Sequence, residues 1–171
     1  MLIDPLDLTQ EDMPVFVFSD DRRSFIGWAI KAHSKGNYNH IMIMVNPCRV
    51  VTQGGTYKEI PIKRYMKPFI HLKFWKCHNI TPAEAYQIFN KVGKDLKLPW
   101  WRKLYDFIGI VGHLVGVRWV NIPWLSYCSE RVLSYVRVIL KDVESRQSPA
   151  ELNELFKKEK RMTLIGHWWE D

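Results

Sequence analysis

The 171-residue chain reads as an α+β protein. Three observations predict this. Apolar runs bounded by turn residues fill the first half. Capped segments of helical period fill most of the second. No internal repeat, low-complexity tract or linker divides the two. Residues 1–171 are therefore read as one domain, long enough for one proper core. Hydrophobic residues make up 47% and eight are tryptophan, which excludes a disordered chain.

The elements follow in order. MPVFVFS, residues 13–19, is a first strand with Val and Phe filling both faces. In DDRRSFIGWAIKAHSKG, Phe25, Trp28, Ala29 and Ala32 recur at helical spacing and Gly36 is a stop. NHIMIMVNP, residues 39–47, is apolar on both faces beyond its start, which predicts a central strand. Asn46-Pro47 turns the chain into CRVVTQGG, an antiparallel partner. YKEIPI is extended, and Pro61 marks it as an edge segment. FIHLKFWKCH, residues 69–78, alternates: Ile70, Leu72 and Phe74 point one way, His71, Lys73 and Trp75 the other, with His71 expected on an exposed, more polar face. Thr81-Pro82-Ala83-Glu84 has the form of a capping box with proline in the first turn, and opens a helix over 82–97. Ser148-Pro149-Ala150-Glu151 repeats that device before a helix over 149–160. Between them lie an apolar segment, residues 104–120, and a helix from Ser126 that carries Cys128; MTLIGHWW ends the chain as a strand.

Composition narrows the function classes. The start, MLIDPLDLTQED, is acidic and has no apolar h-region, so a secretory leader is not expected. The most apolar stretch, FIGIVGHLVGVRWV, holds His113, Arg118 and three glycines and is too short to span a bilayer. Cys48, Cys77 and Cys128 are odd in number and show no CxxC spacing. That argues against a disulfide framework or a zinc site and suits a reducing, cytoplasmic setting, with no metal or cofactor expected. The formal charge of +7 permits a polyanionic partner. The basic residues are dispersed among apolar ones, however, so a solvated basic surface is preferred to a nucleic-acid site.

Cys128 carries the chemistry. With Ser126 as N-cap it falls in the first turn, and Cys128, Val132, Tyr135, Val136 and Ile139 form one inward stripe, with Ser129, Glu130, Ser134 and Arg137 facing away. At a helix N-terminus, unpaired N–H groups and the helix dipole favour a thiolate and can receive an oxyanion. A plain buried cysteine has the same sequence appearance. A nucleophile also needs a base. Among the six histidines, His40 ranks first, because it opens a central strand where a side chain reaches the sheet's end.

NYNHIMIMV followed by CRVVTQGG, and later YCSERVLSYV, resembles the circularly permuted papain-like cysteine hydrolases, relatives of the NlpC-type peptidases. The YiiX-like branch is nearest and the lecithin:retinol acyltransferase group more distant. Asn39-His40-Ile41 matches that branch's histidine strand, and Tyr127-Cys128-Ser129-Glu130 matches its nucleophile at a helix start. The resemblance runs from about residue 13 to 160 and rests on the order and spacing of short motifs. It implies a papain-like fold with an antiparallel sheet against the cysteine helix. It also implies a Cys–His hydrolase or acyltransferase acting on a peptide, amide or acyl substrate, with Cys128 as nucleophile and His40 as base. Tyr38 and Tyr127, beside the two motifs, are the implied substrate contacts. One departure stands out. Where the branch carries a glutamate that orients the imidazole, this chain has Thr52 and Gln53, of which at most one can serve, since strand neighbours face opposite ways. The competing expectation is an inactive binding or structural module on the same fold, with nucleic acid or another polyanion as partner. A weaker one is action at a membrane surface through Trp100-Trp101 and Trp168-Trp169. Substrate and oligomeric state stay open.

Overall fold

The computed structural model describes residues 1–23, 31, 36–103, 128–141, 143–144 and 147–170. The helix read through Phe25 and Ala32, the apolar segment 104–120, and Ser126 and Tyr127 lie outside the described residues. Six strands form one antiparallel sheet: β1 (Val15–Asp21), β2 (His40–Asn46), β3 (Arg49–Gly54), β4 (Thr56–Pro61), β5 (Ile70–Cys77) and β6 (Met162–Trp168). Their order is β4-β3-β2-β1-β5-β6. Among the described residues three α-helices follow: α1 (Pro82–Leu96), α2 (Cys128–Ile139) and α3 (Pro149–Lys158).

The apolar runs of β1 and β2 are explained by burial on both faces. On one face Phe16, Phe18, Ile41, Ile43 and Val51 pack with Cys128, Val132, Leu133 and Val136 of α2, Leu152 and Phe156 of α3, and Ile88 and Val92 of α1. On the other, Val15, Val17, Met42, Met44, Val50, Leu72 and Phe74 are covered by Ile3, Leu6, Leu8, Tyr65, Met66 and Phe69. Strand period puts alternate residues into alternate layers. β5 departs from the expected half-exposed strand. Lys73 is 6% and Trp75 5% exposed, because the helical layer extends over this face too. Lys73 Nζ lies 4.8 Å from the Trp75 ring centre and 5.7 Å from that of Tyr38, so its cation rests on aromatic faces. Burial lowers its pKa.

Both capping boxes form as their sequences predict. Thr81 accepts from Glu84 N, while Glu84 accepts from Thr81 N; Ser148 and Glu151 do the same. At the β6 edge, Ile3 N donates to His167 O at 2.9 Å and His167 N to Met1 O at 3.0 Å, so residues 1–3 strap the outer strand. Gly166 makes room for this strap, since a Cβ there would stand 2.5 Å from Ile3 Cγ2.

Candidate functional site

His40 and Thr52 lie at one end of the sheet. The β1–β2 register sets Ser19 opposite His40, and the β1–β5 register sets Ser19 opposite Leu72. The start of β2, the ends of β1 and β3 and the start of β5 therefore lie together. Asn39 stays buried there because its amide copies a strand partner, accepting from Asp21 N at 3.3 Å and donating to Asp21 O at 2.9 Å.

His40 opens β2 on the Met42 face. Its Nε2 lies 2.7 Å from Thr52 Oγ1, and Thr52 Oγ1 lies 2.9 Å from the Tyr65 hydroxyl. The His40 and Tyr65 rings stack at a 19° interplanar angle, 6.1 Å between centres. Tyr65 arrives because the 3₁₀ turn Ile62–Arg64 folds back after β4, with Ile62 N donating to Cys48 O at 2.9 Å. The ring of His40 is desolvated, and its pKa falls to about 4. Burial also raises the pKa of Tyr65, its bond to Thr52 opposes the rise, and a charge on Cys128 adds to it.

Gln53 faces the other way. Its Nε2 donates to Lys103 O at 2.8 Å, on the 3₁₀ turn Trp100–Lys103. The two neighbours left open by sequence thus part: Thr52 bonds the imidazole and Gln53 anchors a turn.

Cys128 is the first described residue of α2 and is 2% exposed. α2 packs on β2 and β3, and its start lies at the His40 end, because Arg131 Nη2 donates to Arg102 O at 2.7 Å and the Arg131 guanidinium lies 4.9 Å from the Tyr57 ring centre, with Tyr57 opposite Gln53 in the β3–β4 ladder. A buried polar chain fixes the helix. Tyr57 and Tyr135 share a 2.6 Å hydrogen bond, Tyr135 donates to Asp95 Oδ2 at 2.6 Å, and Arg131 stands 3.6 Å from Asp95. Burial pushes both tyrosine pKa values up, so the hydroxyls stay protonated. Cys128 packs in the Ile41 layer, whereas strand alternation sets His40 on the Met42 face of β2. The inward stripe of α2 is as expected except at Ser129, which is fully buried rather than turned to solvent.

Tyr38 belongs to the core. It is 7% exposed and packs edge-on to Phe18 at 5.7 Å, so its surface goes into packing rather than to a substrate contact. His71 is half-buried, not exposed: its Nε2 is 3.0 Å from His167 Nδ1, and Trp169 meets it edge-on at 5.2 Å. At the same sheet end, a cavity of about 450 Å³ is lined by Arg22, Phe69, His71, Trp169 and Glu170, among others. Tyr65 was not picked out from the sequence. It lies in the KRYMK run after an edge strand, and only the fold-back of the 3₁₀ turn brings it to Thr52.

No family model matches the chain, and no curated protein matches it in sequence. The six-stranded antiparallel sheet with its helical layer defines a YiiX-like α+β fold. A solved structure that shows this is the metalloprotein yiiX (DUF1105) of Escherichia coli O157:H7. It is 14% identical, with a TM-score of 0.61 over 92% of this chain and 97% of that one. At that identity the likeness concerns the fold.

Proposed function

We propose that the chain is a cysteine hydrolase or acyltransferase of papain-like design, acting on an amide, peptide or acyl-ester carbonyl. The observation that carries this reading is the hydrogen-bonded chain His40–Thr52–Tyr65 at the sheet end that also receives the start of α2. In the productive tautomer, His40 Nε2–H donates to Thr52 Oγ1, and the Thr52 hydroxyl donates on to Tyr65. That leaves the Nδ1 lone pair as base. Nδ1 takes the Cys128 proton as sulfur attacks the carbonyl carbon, and the oxyanion faces the N–H groups that open α2. The imidazolium then protonates the leaving amine or alcohol. Water, or an acyl acceptor, then gives its proton to His40 as it attacks the thioester carbon; the C–S bond breaks, the acyl product leaves, and the proton returns from His40 to the Cys128 sulfur. A pKa near 4 keeps the resting imidazole neutral. Proton transfer is therefore coupled to attack and does not precede it as a standing ion pair. With a hydroxyl in place of a carboxylate, the imidazolium is less stabilised and turnover slower.

The yiiX protein is named a metalloprotein. Among the described residues here no three His, Cys, Asp or Glu side chains gather as a metal's donor set requires, and the reading uses none.

The test is acylation by p-nitrophenyl acetate in a Cys48→Ser background, since Cys48 is the exposed cysteine and Cys77 is buried. A stoichiometric burst is expected. It should vanish in Cys128→Ala and slow at least about tenfold in His40→Ala. Equal bursts in all three proteins would sink the reading. No burst in any of them would favour the second reading, an inactive module for a polyanionic partner. The uncharged third residue and the low His40 pKa support that alternative.

A further inference from the structure

The turn after α1 presents aromatic and cationic side chains to solvent. Trp100 is 72% and Trp101 44% exposed. Lys94 and Lys97 at the end of α1 are exposed, as is Arg102, whose guanidinium lies 5.1 Å from the Trp101 ring centre. The only acidic residue between 91 and 103, Asp95, is turned inward to Tyr135 and Arg131. The charge this stretch shows outward is therefore all positive. The turn itself is fixed. Lys103 O accepts from Gln53, Arg102 O accepts from Arg131, and Arg102 N donates to Pro99 O at 3.0 Å. Among the described residues neither indole belongs to a core cluster, and exposed aromatic patches mark interaction sites.

We propose that this turn docks the protein on an anionic membrane surface. Indoles partition to the headgroup level, with the ring in the apolar boundary and the N–H in water. Lys94, Lys97 and Arg102 flank them at the level of the lipid phosphates. Single-stranded nucleic acid is fitted less well, because it calls for a cationic groove with rings as stacking floors. Here both rings are exposed on one short turn beside cationic side chains, which suits a headgroup plane. Docking does not depend on catalysis. If the reading above holds, it also brings the first turn of α2 near the lipid, since Arg131 bonds the docking turn.

The test is co-sedimentation of the full chain with large vesicles, either phosphatidylcholine alone or with about 30% phosphatidylserine, at about 0.1 M salt. Binding is expected to the serine-containing vesicles and at least about tenfold weaker to the neutral ones. Trp100→Ala/Trp101→Ala should lose at least about tenfold, and Lys94→Gln/Lys97→Gln about fivefold per charge, with the latter loss shrinking as salt rises. The charge variant decides the matter should the tryptophan variant fail to fold. No vesicle binding, or binding unchanged in both variants, overturns the proposal. So does retention of a labelled single-stranded oligonucleotide that the same substitutions abolish while vesicles are ignored.

Discussion

At the residue scale, Thr52 is the hinge of the candidate site. Its hydroxyl has two neighbours, one an imidazole and one a phenol, and the direction of its O–H decides which nitrogen of His40 carries the proton. Thr52→Val keeps the shape and removes the relay. The p-nitrophenyl acetate burst is expected to slow about tenfold, and Thr52→Ser to recover most of it. His40 itself titrates in a definite direction. Burial holds its folded pKa near 4, below the ordinary value of about 6.5. The unfolded chain therefore takes up the proton first as pH falls. The stability due to neutral His40 is complete above about 6.5 and erodes down to about 4, by at most about 3 kcal/mol. Urea unfolding of the wild type and His40→Gln across that range should show a difference that narrows with acidity. That His40 opens a strand and Cys128 stands at a helix start was legible in the sequence, from the apolar run after one and the helical stripe after the other. The choice between Thr52 and Gln53 was not, because it depends on which face of β3 meets the His40 side, and pairing sets that.

At the scale of elements, the capping boxes show what local sequence can specify. Thr81 and Glu84 close the α1 start using neighbours alone. Arg161, far along the chain, then grips both Glu84 oxygens at 3.0 and 2.9 Å and reaches Ile139 O at 2.9 Å, joining α1, α2 and the start of β6. No local pattern announces that long-range grip. Hydrogen bonds from Arg161, then from Thr81, bring the Glu84 pKa down to about 2. A depressed carboxyl stabilises above its unfolded value of about 4.5 and gives that up as pH falls toward 2. Arg161→Gln is expected to cost about 1 kcal/mol at neutral pH and to flatten this acid limb, as read by thermal melting. β5 teaches the converse. Its alternation suggested one wet face, but a lysine between aromatic rings can be covered, and composition alone does not reveal what covers it.

At the scale of the whole molecule, the order of strands and helices was readable because turn residues and apolar period agree along most of the chain. The sheet order was not, since β1 lies between β2 and β5, and only pairing over long separations decides that. The burial of both faces was partly visible in the apolar runs of β1 and β2. That the second face is closed by residues 3–8 and 65–69 was invisible, because those segments have neither period nor length. The strap over β6 has a bearing on solubility. An outer strand with free N–H and C=O groups is a template for a second chain. Here Gly166 is the gap through which Ile3 passes to cover that template. Gly166→Ala should lift the strap and loosen the Ile3 cover at the rim of the second core face while leaving the helical face intact. The expected result is a protein that still melts cooperatively but assembles at concentrations where the parent stays dispersed, as light scattering against concentration would show. One missing methyl group thus stands between a finished surface and an open polymerising edge.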